Sequence, residues 1–302
     1  MRSSSMQGDL FRVVLLGFLW GVQPAIVKHA ALRGVDPFSF VLGAVAVAAA
    51  LLVCYNRPGR QAVSRLCRNW RFFLTAAALG FFLPLCVRAS ISDQAPLYFL
   101  TVSVALTPML VAILSAVLKG ERPSGAVLLA IAFGLSGTVL IVSRELAQAS
   151  GGLPLKTLAA LAVPLLYALN QVFVYRAYPQ DEPPTLVAAG ESLCSLGLAL
   201  VAVVGQQLLF PAAAALSWTF APETFLWGAV TALEGVVFFW VISRSGPLLV
   251  STAIYAAIAF GVLWGWLLFD EAIGVEAIFG MILIALSAGT IAHWKSRAVV
   301  PA

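Results

Sequence analysis

Residues 224–269 read TFLWGAVTALEGVVFFWVISRSGPLLVSTAIYAAIAFGVLWGWLLF and carry only two charges, Glu234 and Arg244. Two apolar runs, 224–243 and 248–269, flank the turn around Arg244 and Pro247. A helix needs roughly 20 apolar residues to cross the hydrocarbon core, so each run is long enough to span it. The turn between them is short enough to make the two helices antiparallel neighbours. The rest of the 302-residue chain has the same character: 61% of residues are hydrophobic and 10% charged, with mean hydropathy +0.98. A soluble domain carries about 45–50% apolar and about 25% charged residues, so the composition excludes a soluble protein and a polar, disordered tail.

Working outward, apolar runs bounded by charges or turn residues place spans at about 10–28, 38–55, 72–91, 96–118 and 124–143. After a connection containing Arg144, Glu145, Gly151, Gly152 and Lys156, further spans follow at about 157–177, 185–209, 224–243, 248–269 and 272–293. The expected fold is all-α and integral to the membrane, with ten transmembrane helices divided into residues 1–148 and residues 149–302 with a short cytoplasmic tail. With the N-terminus inside, 13 of the 18 basic residues fall on inner segments, five of them arginines between the second and third spans. The positive-inside bias therefore puts both termini in the cytoplasm. It also accounts for the net charge of +5 without nucleic acid. The basic stretch from Met1 to Arg12 precedes an apolar run as in a signal peptide, but no A-x-A cleavage pattern follows, so the first helix is expected to be retained. Cys54, Cys67, Cys86 and Cys194 form no CxxC pair and imply neither a disulfide framework nor a metal site.

Two stretches can be laid over one another: Pro96 to Val142, with TPML, LKGERPSG and GLSG, and Pro247 to Ala292, with WLLFDEAIG and ALSAG. In each, a proline opens a long apolar helix ending at an acid, Glu121 or Glu271, before a short turn and another helix. At the start of the halves, FLWGVQPAIVK (18–28) faces LYALNQVFVYR (166–176). Five crossings per half reverse the second copy in the membrane, and such inverted repeats mark transporters that exchange outward-open and inward-open states.

On these residues the chain resembles the drug/metabolite transporter superfamily, in its EamA-like branch. The motifs that carry the resemblance are Leu19-Trp20-Gly21, Lys28 at the end of the first span, Pro108 in the fourth, and Gly120-Glu121 opening the turn to the fifth. Asp270-Glu271 stands where the second copy has its own glycine-glutamate. The sequence departs from the pattern at Ile258, where the counterpart of Pro108 would fall, and at Arg88, where an aromatic or aliphatic residue is expected. The resemblance implies a ten-helix basket in which the third, fourth, eighth and ninth spans, helped by the first and sixth, surround a central cavity. It leaves the fifth and tenth spans at the periphery for packing or a homodimer contact. Members mostly move small organic metabolites across the cytoplasmic membrane, often outward and without nucleotide hydrolysis. In agreement, the chain contains no GxxxxGK[ST] phosphate loop.

A charged group deep in a bilayer costs several kcal/mol unless paired or hydrated, which makes each one a candidate site. Glu234, mid-way along the eighth span, is the leading candidate. It could bind a substrate amine or carry a proton, or it could be a hydrogen-bonded glutamate that ties helices together. Glu191, in the seventh span, reads as structural. Substrate-binding candidates besides Glu234 are Trp20 and Gln23 in the first span, Tyr98 and Thr101 in the fourth, Tyr167, Asn170 and Gln171 in the sixth, and Tyr255 in the ninth. Thr107, Ser251 and Thr252 add single polar groups. Arg88 and Asp93 could form an external gate, with Arg244 as its inner counterpart, although loop pairing and positive-inside topology account for them equally. Lys28 is read as snorkelling and Trp218 and Trp227 as interfacial anchors. His29 and His293 sit at helix ends, and no HExxH or serine–histidine pair is present, so neither an intramembrane enzyme, a metal nor a cofactor is expected.

The expected function is secondary transport of an amino acid or amino-acid-derived compound, outward across the cytoplasmic (inner) membrane by alternating access, with proton coupling through Glu234 as an extension. An importer or bidirectional facilitator, and a non-transporting scaffold or sensor reusing the fold, are the alternatives.

Overall fold

The computed structural model describes residues 6–35, 37–91, 104–119, 123–141, 143, 159, 161–209, 222–270 and 273–298. Among the described residues the regular structure is entirely helical: α1 (Met6–Leu32), α2 (Pro37–Asn56), α3 (Arg60–Arg68), α4 (Trp70–Ala77), a π-helical turn (Ala78–Phe82), α5 (Leu83–Ile91), α6 (Thr107–Lys119) and α7 (Gly125–Ile141), then α8 (Ala162–Ala177), α9 (Pro184–Leu209), α10 (Pro222–Ser245), α11 (Pro247–Phe269) and α12 (Val275–Ala298). Prolines 184, 222 and 247 open their helices, where the missing N–H would have had no partner anyway. At the other end of α11, Asp270 takes a left-handed conformation (φ 53°) and returns its N–H to the Gly265 carbonyl, closing the helix.

Among the described residues, six segments are long and apolar enough to cross a membrane: Leu10–Ala30, Ser39–Asn56, Trp70–Val87, Pro184–Gly205, Pro222–Ser245 and Pro247–Phe269. The chain is thus a multi-pass membrane protein with an all-helical fold. The remaining expected spans correspond to the shorter apolar stretches Thr107–Leu118, Gly125–Ile141 and Val275–Thr290 and to the 16-residue α8. Residues 96–103 of the expected fourth span lie outside the described residues.

Two features differ from the sequence reading. The arginine-rich connection after the second span is not simply a loop but contains α3, a nine-residue polar helix with no buried residue. It is amphipathic, with Leu66 turned to the core and arginines on the other side, but its apolar residues are too few and too scattered for a search for apolar runs to register. The third span is not one regular α-helix: α4 and α5 are joined through the π-helical turn Ala78–Phe82. At Gly80 in that turn an added Cβ would lie 2.6 Å from the Asn170 side-chain nitrogen, so α8 presses an amide into the irregularity.

In lipid there is little hydrophobic drive between helices, and close approach of backbones takes its place. A Cβ on Gly17 of α1 would meet the Ala256 Cβ of α11 at 2.4 Å, and one on Gly21 would meet the Ala257 carbonyl at 2.7 Å. Helices α7 and α12 form the most extensive pair. There Gly137 and Gly280 face each other: a Cβ on Gly137 would stand 2.6 Å from the Gly280 carbonyl, and one on Gly280 would stand 2.5 Å from the Gly137 carbonyl. The Ser287 hydroxyl donates across the same pair to the Ala130 carbonyl at 2.6 Å. Helix α1 packs on α10 and α11, whereas α8 packs on α4, α5 and α6.

The glycine contact gives a direct stability test. Gly137→Ala places a methyl against backbone that cannot yield, and an overpacking loss of about 1–3 kcal/mol is expected from denaturation in detergent. Gly289→Ala on α12, with nothing within 4 Å of the added Cβ, is expected to be neutral or to gain up to about 1 kcal/mol of helix propensity.

Candidate functional site

Helix α1 brings Trp20 and Gln23 to one face, three residues apart, and α10 brings Trp227, Glu234 and Phe238 to one face at spacings of seven and four. Where these faces meet, the Gln23 amide nitrogen donates to the Glu234 carboxylate. The Gln23 carbonyl oxygen in turn accepts the Trp227 indole N–H at 3.0 Å. Trp227 stacks on Phe40 of α2, with centroids 4.8 Å apart and planes 9° from parallel. Trp20 and Phe238 sit 6.4 Å apart on the other side of the carboxylate's turn. Glu234 remains half-buried, so it is held by the network without being sealed off.

Two further features shape this spot. Pro24 lies inside α1 and has no N–H, so the Trp20 carbonyl, four residues earlier, loses its normal helical donor. Glu191 on α9 accepts the Ser195 hydroxyl at 3.2 Å and lies near enough to act electrostatically on Glu234. Among the described residues neither carboxylate has an ion-pair partner.

Buried acids also tie the two ends of the helix bundle. At the α2 N-terminal end, the Glu223 carboxylate of α10 receives His29 of α1 at 3.0 Å and Arg33, just past the end of α1, at 2.8 Å. At the α2 C-terminal end, Glu182, between α8 and α9, receives the Arg65 Nε of α3 at 2.6 Å. Beside it the Thr185 hydroxyl donates to the Asn56 side-chain oxygen at 2.8 Å. Next to Glu182, burial pushes the Tyr178 phenol up to about 12, which keeps it a neutral hydroxyl.

Of the residues singled out in the sequence, Glu234, Gln23 and Trp20 are brought together. Asn170 and Gln171 are buried on α8 with side-chain oxygens that have no partner among the described residues, Asn170 lying against Gly80. Tyr167 is half-buried on the same helix. Tyr255 faces elsewhere: its ring packs on Gly134 of α7 and its hydroxyl reaches the Ile131 carbonyl at 3.5 Å. Arg244 is exposed over the Trp240 ring at 5.2 Å, and Arg12 of α1 lies over the same indole at 4.4 Å. Tyr98, Thr101 and Asp93, and the side chain of Arg88, lie outside the described residues.

Trp227, read from the sequence as an interfacial anchor, turns its indole N–H inward to Gln23 and stacks on Phe40. Lys28 likewise lies over the Phe269 ring at 4.2 Å rather than simply reaching for headgroups. The sequence reading missed Glu223, Glu182 and Arg65, because their partners lie far away in the chain.

The model of the EamA-like transporter family matches residues 8–143, which bears out the resemblance read from the motifs. No curated protein matches the chain significantly. A solved structure titled "Crystal structure of protein" superposes with TM-score 0.75 at 22% identity, covering 97% of this chain and 98% of its own, and so shares the fold.

The Glu182 pair makes an expectation of its own. Arg65→Ala strands a buried carboxylate and is expected to cost about 1–3 kcal/mol in detergent denaturation. Adding Glu182→Gln to that background should recover part of the loss, because a neutral amide is cheaper to leave unpaired than a charge.

Proposed function

We propose that this EamA-like membrane protein is a secondary transporter that moves a small organic metabolite, an amino acid or amino-acid-derived compound, outward across the cytoplasmic (inner) membrane by alternating access. The observation that carries the reading is the Trp227–Gln23–Glu234 network: a carboxylate within the membrane span, held by hydrogen bonds and still accessible. An ionisable group deep in a membrane helix is costly, and its usual return is a substrate or ion pathway. Aromatic rings beside a few convergent polar groups suit a solute with an apolar body and a charged end.

The pattern of helix contacts supports two inverted repeats of five helices around a central site. The shift of 150 residues that lays Glu121 on Glu271 also carries Gly137 onto Ser287 and Ala130 onto Gly280. It therefore interchanges the Gly137–Gly280 approach with the Ser287–Ala130 hydrogen bond, as a two-fold axis between α7 and α12 would. The same exchange relates the packing of α1 on α11 to that of α8 on α6. With both termini cytoplasmic, the Glu223 cluster closes the outer end and the Arg65–Glu182 pair the inner end. In alternating access these contacts would break in turn while Glu234 keeps hold of the solute.

Counterflow of a labelled amino-acid panel in proteoliposomes tests the reading. Wild-type protein is expected to exchange at least one member of the panel, and Glu234→Gln to lose most of that exchange while melting as wild type does. Exchange by Glu234→Gln at the wild-type rate would remove the carboxylate from the mechanism. Proton coupling requires net flux to follow an imposed pH gradient, and flux indifferent to the gradient rules it out.

A further inference from the structure

The Glu234 site is built asymmetrically with respect to charge. Among the described residues its ionisable groups are acids: Glu234 itself and, acting on it from α9, Glu191. The cations described nearest along α1 and α10 are engaged elsewhere. Arg12 and Arg244 lie over Trp240, and Lys28 lies over Phe269. Arg33 is taken by Glu223, to which the His29 ring is also hydrogen-bonded.

The walls are rings. Trp227, backed by Phe40, stands two turns from Glu234 on one side, and the Trp20–Phe238 pair stands about one turn away on the other. The faces of such rings attract cations, most strongly when the site is desolvated. An ammonium has three hydrogens to place and no acceptor of its own. The Glu234 carboxylate can take one, and the Trp20 carbonyl, relieved of its helical donor by Pro24, offers a second acceptor one turn from Gln23.

Resting on the transporter reading above, we propose that this site selects an organic cation, an ammonium group on a small aromatic or aliphatic body, and recognises it without using a carboxylate on the solute. The amine is gripped by Glu234 while the body lies between the indole of Trp227 and the Trp20–Phe238 pair. An amino acid then enters with its carboxylate unmatched, and its decarboxylated amine is the better ligand.

The test is calorimetric titration of the protein in lipid nanodiscs with phenethylamine and with phenylalanine, which share a ring and an amine and differ by a carboxylate. Phenethylamine is expected to bind about tenfold more tightly or better, in line with the worth of one charge-assisted contact. Glu234→Gln should abolish the amine's binding and Glu234→Asp should keep part of it. Trp20→Ala should weaken it about tenfold or less, with melting temperatures reported for every variant. Phenylalanine binding as tightly as phenethylamine, amine binding that survives Glu234→Gln, or no binding of either probe overturns the proposal.

Counterflow of both probes separates this from the transport reading. Exchange of phenylalanine without binding of phenethylamine sinks the cation site and leaves transport standing. Tight, Glu234-dependent binding of phenethylamine with exchange of neither probe supports the cation site and counts against transport.

Discussion

Hydrocarbon offers a protein nothing to hydrogen-bond to, and an unsatisfied polar group there costs several kcal/mol. The arrangement of this chain follows from that constraint. Its backbone is wound into helices, and its small hydroxyls are returned to helical carbonyls: Thr107 to Val104, Ser251 to Leu248, Thr252 to Leu249 and Thr138 to Gly134. Where helices must hold each other without hydrophobic drive, glycines let backbone meet backbone, and Ser287 spends its hydroxyl across the α7–α12 boundary. Polarity that is left over after this accounting is what needs a reason, and most of it collects at Glu234, at the α8 amides and at the two ends of α2.

The three acids illustrate how surroundings divide one chemical group into different roles. Glu223 and Glu182 are almost wholly buried, and each is matched by one arginine from a neighbouring segment, Arg33 and Arg65. Such pairs contribute specificity of docking more than net stability, since desolvation offsets much of their attraction. Glu234 is more accessible, is met by an amide and not by a cation, and is flanked by aromatic rings. A carboxylate that is positioned but not neutralised retains capacity for a ligand.

The long apolar helices were legible because hydropathy integrates over many residues, and positions such as 184–209 and 247–269 fall where the sequence puts them to within a residue or two. Residue type also pointed to Glu234 and Gln23, since neither belongs in lipid. Their pairing was not legible, because it joins residues 211 positions apart and depends on how α1 crosses onto the second half. Tyr255 shows the opposite failure. A tyrosine in an apolar span reads as cavity-lining, yet its ring fills the space left by Gly134 and its hydroxyl turns to a carbonyl of α7. The π-helical turn was invisible for a related reason, since Gly80 becomes informative only once Asn170 is seen resting on it.

The reciprocal approach of Gly137 and Gly280 has a mechanical consequence. Side chains can change rotamer to absorb a sliding or tilting motion, but two backbones in contact have no such slack. Helices α7 and α12 should therefore travel as one stiff strut, while the irregular positions, Pro24 in α1 and the π-helical turn around Gly80, are where helices can bend. The molecule then resembles a clasp with a rigid spine along α7 and α12, with its compliant joints beside the polar groups of α1 and α8.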